Sequence, residues 1–115
     1  MRSNLKLIIN NQYKKIEERQ FFEKDELKII LDLYAKMVSE GSWKDYGLNI
    51  SKKQVSFSVF KNAAENDLYR ICKNFKPKNK NLKYLITDNT GKILTYSIES
   101  IFSCIFKNTK AHLFT

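Results

Sequence analysis

Between Phe22 and Phe106 the apolar residues change their spacing twice, and this leaves few folds open to the chain. Leu27, Ile30, Leu31, Tyr34 and Val38 recur at the intervals of one helical face, with Lys28, Asp32 and Lys36 on the other. Val55, Phe57 and Val59 then alternate with Ser56 and Ser58, the period of a strand with one face buried. From Ile98 the helical period returns in Ile101, Phe102, Ile105 and Phe106.

The boundaries of these elements are legible. Glu23 as N-cap sets Glu26 at the third helical position and Phe22 against Leu27, and Gly41 is the left-handed stop, so the first helix is expected over about 24–40. A turn over Asn62 to Asp67 leads to a strand over Leu68 to Phe75, with Tyr69, Ile71 and Lys73 on one side and Leu68, Arg70 and Cys72 on the other. After a polar stretch containing Pro77, "KYLITDNTGKILTYS" reads as two more strands around a turn at Asp88 to Gly91. Ser97 as N-cap, with Lys107 and Lys110 favouring the far end, sets the second helix at about 98–108.

The expected fold is therefore α+β, a four-stranded antiparallel meander whose two flanking helices pack on one sheet face. A chain of 115 residues, 43% hydrophobic, suits one domain with one core, taken as 21–115, preceded at 1–20 by an edge strand or tail. The apolar run Leu5 to Ile9, interrupted by Lys6, is too short for a signal core or a membrane span. This points to a cytoplasmic protein without a membrane partner.

Several chemistries are excluded. Cys72 and Cys104 are far apart with no second thiol near either, so no redox pair or zinc pattern exists, and both suit a core. His112 is the only histidine, which removes any ligand set or mechanism needing two imidazoles. Gly41, Gly47 and Gly91 stand alone, so no glycine-rich phosphate loop is present, and no nucleophile-elbow or kinase motif appears. No metal site, cofactor or catalytic residue is expected.

Three groups remain. Trp43, Asp45 and Tyr46 directly follow the helix stop and read either as a structural corner or as a pocket with an aromatic wall and a carboxylate. Glu65 and Asp67 form a charged turn, and Arg70 invites a bidentate pairing with Asp45 or Glu65. Arg70, Lys73, Lys76, Lys78, Lys80 and Lys83 fall in one acid-free segment interleaved with Tyr69, Phe75 and Tyr84, which is what binding of single-stranded nucleic acid needs. The net charge of +9 fits that reading, but 18 Lys against 3 Arg, with 11 Asn and 12 Ile, also fits an AT-rich coding bias that needs no ligand.

The stretch "FEKDELKIILDLYAKMVSEGSWKDYGL" followed by "FSVFKNAAENDLYRICK" resembles domain-of-unknown-function family 2794, short alphaproteobacterial proteins. The matching positions include Glu26, Leu27, Tyr34, Met37, Gly41, Trp43, Asp45, Tyr46, Phe57, Phe60, Ala63, Glu65, Tyr69, Arg70 and Ile71. The chain departs from the family at Glu23, where the family carries aspartate, and at Thr95, Tyr96 and Ser97, which replace an Arg-Gly tract. The resemblance implies no activity, substrate or cofactor. The leading expectation is a noncatalytic interaction module with a protein partner. Nucleic-acid binding through Arg70 to Lys83 is the alternative, and a small enzyme using the Trp43 corner is the third.

Overall fold

The computed structural model describes residues 20–62 and 66–113, with 108–113 by backbone alone. The tail or edge strand expected at 1–20 lies, apart from Gln20, outside the described residues, as do Ala63, Ala64 and Glu65.

Helix α1 spans Lys24–Ser39. Glu26 accepts the backbone N–H of Glu23 at 2.7 Å, satisfying a donor that the first helical turn leaves open. At the other end Gly41 takes φ 80°, and the N–H of Ser42 reaches back to the Met37 carbonyl at 2.9 Å. A side chain resists that backbone conformation, so glycine ends the helix here.

The buried face of α1 is Glu26, Ile30, Leu33 and Met37, whereas Leu31 and Val38 are exposed. Of the face drawn through Leu27, Ile30, Leu31, Tyr34 and Val38, Ile30 is buried and Leu27 and Tyr34 pack partly buried against the core, whereas Leu31 and Val38 are corrected to the surface. The full apolar arc runs from Ile29 through Leu33, Met37 and Ile30 to Leu27, Val38 and Leu31, and its middle is buried where the expected stripe lay on its edge.

The sheet has five antiparallel strands in sequence order, one more than expected. They are β1 (Asp45–Ile50), β2 (Gln54–Phe60), β3 (Tyr69–Asn74), β4 (Tyr84–Asp88) and β5 (Ile93–Thr95). The added strand is β1, an edge whose residues are nearly all exposed and which includes Gly47 and Asn49, two residue types uncommon in strands. Its register on β2 pairs Tyr46 with Val59, Leu48 with Phe57 and Ile50 with Val55.

Rows across the sheet fix which side chains share a face. Leu48, Phe57, Ile71 and Ile86 form one row, and Val55, Lys73 and Tyr84 another. This face meets the helices, and Phe57, Ile71 and Ile86 join Ile30, Leu33, Met37, Ile101 and Ile105 in one buried cluster. The β4–β5 turn is held by Asp88, whose Oδ1 accepts from the Thr90 hydroxyl at 2.7 Å and from the N–H groups of Thr90 and Lys92. These bonds, the Thr90 hydroxyl foremost, hold its carboxyl below the usual range. Gly91, at φ 88°, completes the turn.

Ser97 precedes a single 3-10 turn, Ile98–Ser100, and α2 follows over Ile101–Leu113. The serine therefore does not cap the helix directly: its hydroxyl lies 3.1 Å from Glu99 Oε1. Ile98, Ile101 and Ile105 are buried while Phe102 is exposed. Lys36 of α1 stands over the Phe106 ring of α2 at 5.9 Å, a point at which the two helices meet. Among the described residues no helix is long and apolar enough to cross a membrane.

Candidate functional site

Lys73 was expected on the basic surface, and the structure buries it. Its Nζ donates to Glu26 Oε1 at 2.8 Å and to the Phe21 carbonyl at 3.1 Å, and both charged side chains are less than a tenth exposed. Glu26 Oε2 accepts from the hydroxyl of Tyr84, the residue directly opposite Lys73 on β4. The physical reason is register: Lys73 follows Tyr69 and Ile71 on the inward side of β3, so its stem lies in the core and its ammonium needs a buried acceptor.

Each ionisation state follows from these contacts. Burial pushes the Glu26 carboxyl up, but the bonds from Lys73, Tyr84 and the Glu23 N–H outweigh it and leave it below its ordinary value. Burial first, and then the bond to the Glu26 carboxylate, push the Tyr84 hydroxyl well above its ordinary value. The cluster is a charged carboxylate, an ammonium and a neutral phenol, locked to one another and joining α1, β3 and β4.

The segment Trp43 to Tyr46 is a joint that leads into β1. Trp43 is 1% exposed, so its ring cannot be the wall of an open pocket. It packs near Tyr34 at 6.1 Å and Tyr69 at 6.0 Å between ring centroids. Tyr46 stacks on Phe57 at 5.1 Å and meets the edge of Tyr34 at 5.3 Å, so four rings from α1, β1, β2 and β3 surround the indole or one another. Asp45 opens β1 and accepts the N–H of Tyr46 at 2.8 Å. The Nε of Arg70 donates to Asp67 at 2.9 Å, a local pairing across the bend before β3 in place of the one expected with Asp45, while the alternative partner, Glu65, lies outside the described residues.

The remaining lysines of the basic segment are gathered by topology. The β1–β2 turn, with Lys52 and Lys53, lies at the same end of the sheet as the long β3–β4 connection with Lys76, Lys78, Lys80 and Lys83. The two loops touch where the N–H of Phe75 donates to the Lys53 carbonyl at 2.9 Å, and the Asn74 N–H closes the β3–β4 connection on the Lys83 carbonyl at 2.7 Å. Six lysines thus share one end with no carboxylate in either loop, and none is ion-paired among the described residues. All but Lys83 are exposed, and Lys83 lies over the Tyr84 ring at 5.4 Å. Sequence reading missed Lys52 and Lys53 because they precede the acid-free segment; the antiparallel pairing of β2 with β3 is what adds them.

The rings expected to accompany these charges are wholly or partly buried. Tyr69 is buried, Phe75 and Tyr84 are half-buried against the core, and Tyr84 is bonded to Glu26. Cys72 is buried on the opposite sheet face, where desolvation pushes its thiol up, and Cys104 is half-buried on α2. Among the described residues no group of acidic, histidine or cysteine side chains is placed to hold a metal ion.

Fold and site together define a small α+β domain with a helix-covered meander and a basic sheet end. More particularly, the chain belongs to the family described as Protein of unknown function (DUF2794), whose model matches residues 20–101. The match takes in α1, all five strands and the first residue of α2. No curated protein and no solved structure matches the chain.

Proposed function

We propose that this chain is a noncatalytic interaction module that holds a phosphate-rich polyanion at its lysine-lined sheet end. The observation that carries this reading is the meeting of two acid-free loops, tied by the Phe75 to Lys53 hydrogen bond of 2.9 Å, with Lys52, Lys53, Lys76, Lys78 and Lys80 exposed. Clustered ammonium groups displace counterions from a phosphate chain and give strongly salt-dependent binding without base readout.

An acidic protein surface is the competing partner, and the residue types favour phosphate. Cores of protein interfaces are rich in aromatics, Met and Arg and poor in Lys. None of the exposed large apolar side chains lies in either loop, and every cation there is lysine.

Anisotropy titrations with labelled single-stranded RNA, duplex DNA and polyglutamate test the proposal. Phosphate polymers should bind at low salt and weaken steeply as salt rises, and Lys52→Glu with Lys78→Glu should lower affinity at least tenfold. Tighter binding of polyglutamate would point to an acidic protein instead, and indifference to the charge reversals would refute the site.

A further inference from the structure

Beside the lysine-rich loops an open groove of about 630 Å³ runs between the β3–β4 connection and the chain leaving β5. Asn79, Lys80, Asn81 and Leu82 form one wall, and Tyr96 and Ser97 the other. Cavities of about 300–1,000 Å³ are the size that hold small organic ligands. The groove is more open than enclosed, so it suits one unit of a passing polymer better than an enclosed metabolite.

We infer that this groove seats a nucleobase of a single-stranded nucleic acid, stacked on Tyr96, while the neighbouring lysines hold the adjoining phosphates. The inference rests on the polyanion reading above and names which polyanion is bound. Tyr96 is 48% exposed. At this end of the sheet it offers the ring face that Tyr69, Phe75 and Tyr84 do not, and bases stack on such rings whatever their sequence. Leu82, half-buried, adds apolar surface to the opposite wall.

The polar groups are also suitably placed. The 3-10 turn Lys80–Leu82 is fixed by Asn79, whose Oδ1 accepts the N–H of Asn81 at 3.0 Å, and by Asn74, whose Nδ2 donates to the Leu82 carbonyl at 2.7 Å. On the other wall the Ser97 N–H is tied to Thr95 Oγ1 at 3.1 Å. The backbone of both walls is thus held in place, while the Asn81 amide and the Lys80 ammonium have no partner among the described residues. A side-chain amide both donates and accepts, as the edge of a base requires, and Lys80 belongs at once to the groove and to the lysine end.

The test compares labelled oligouridylate with inorganic polyphosphate, which carries the charge without bases, on the wild type, Tyr96→Ala and Tyr96→Phe. The inference expects oligouridylate to bind more tightly than polyphosphate of equal charge. It expects Tyr96→Ala to lose about tenfold on oligouridylate, to be unchanged on polyphosphate, and to be largely restored in Tyr96→Phe. Equal binding of both polymers with Tyr96→Ala silent would overturn the base-stacking inference and leave the polyanion reading standing. Failure of both polymers to bind at low salt would overturn the two together.

Discussion

Lys73 Nζ lies 2.8 Å from Glu26 Oε1, a contact across 47 positions of sequence that ties the third residue of α1 to the central strand of the sheet. With the Tyr84 hydroxyl on the other carboxylate oxygen, it is the polar centre of an otherwise apolar interface between helix and sheet. The β3–β4 connection that carries the exposed lysines springs from Lys73 and returns at Tyr84. The buried cluster therefore fixes both feet of the proposed binding loop.

Removing one partner of this pair strands the other in the core, which costs about 3–5 kcal/mol. Glu26→Gln and Lys73→Met should each lower stability by about that much in urea denaturation. The double variant should lose much less than the sum, because no charge is left unpaired. Simple additivity would show that the pair is not coupled.

The same contacts set the pH dependence. The Glu26 carboxyl is lowered in the folded chain, so its contribution is fully present above its ordinary value of 4.5 and is lost as pH falls through the lower folded value. The Tyr84 hydroxyl is raised, so its contribution is present below its ordinary value of 10.0 and fades as pH rises beyond it. Urea midpoints measured across pH should show Glu26→Gln flattening the acid limb and Tyr84→Phe flattening the alkaline one. Parallel curves for wild type and variants would contradict both assignments.

Trp43→Ala should cost about 3 kcal/mol or more, the loss expected of a large buried aromatic. Thermal melts followed by circular dichroism check this, and a melting temperature within a degree or so of wild type would refute the joint.

Glycines separate turn from strand. Gly91→Ala should destabilise by about 1 kcal/mol, since φ 88° sits in the region that costs an L residue about 1–2 kcal/mol. Gly47→Ala should be neutral or slightly stabilising, because a Cβ there meets only the Phe60 ring edge at 3.6 Å, ordinary contact. Equal losses at the two positions, measured in urea, would contradict the assignment of Gly47 to an unstrained edge strand.

The helix–sheet–helix order, strands β2 to β5 and the Gly41 and Gly91 stops were legible because each rests on local spacing or on a turn residue with a single physical purpose. β1 was not, although Tyr46, Leu48 and Ile50 alternate as a strand should. The Trp-Lys-Asp-Tyr-Gly run hid them, and the strand is an edge with little burial to sharpen its pattern. Lys73 was placed on the right side of β3, yet its charge suggested a surface role. Only the long-range meeting with Glu26 shows why a lysine belongs in that row. Tyr96, Lys52 and Lys53 escaped notice for the same reason: three separate segments become neighbours only when the strands pair.

The central claim is that lysines at one sheet end meet phosphates, and the salt dependence of binding measures this most directly. Each lysine that meets a phosphate of a single strand adds about 0.7 to the magnitude of the slope of log K against log salt. The account predicts a wild-type slope of about −3 or steeper, lessened by about 0.7 for each of Lys52, Lys53, Lys78 and Lys80 changed to Gln. A slope near zero, or one that the four substitutions leave unchanged, would contradict it.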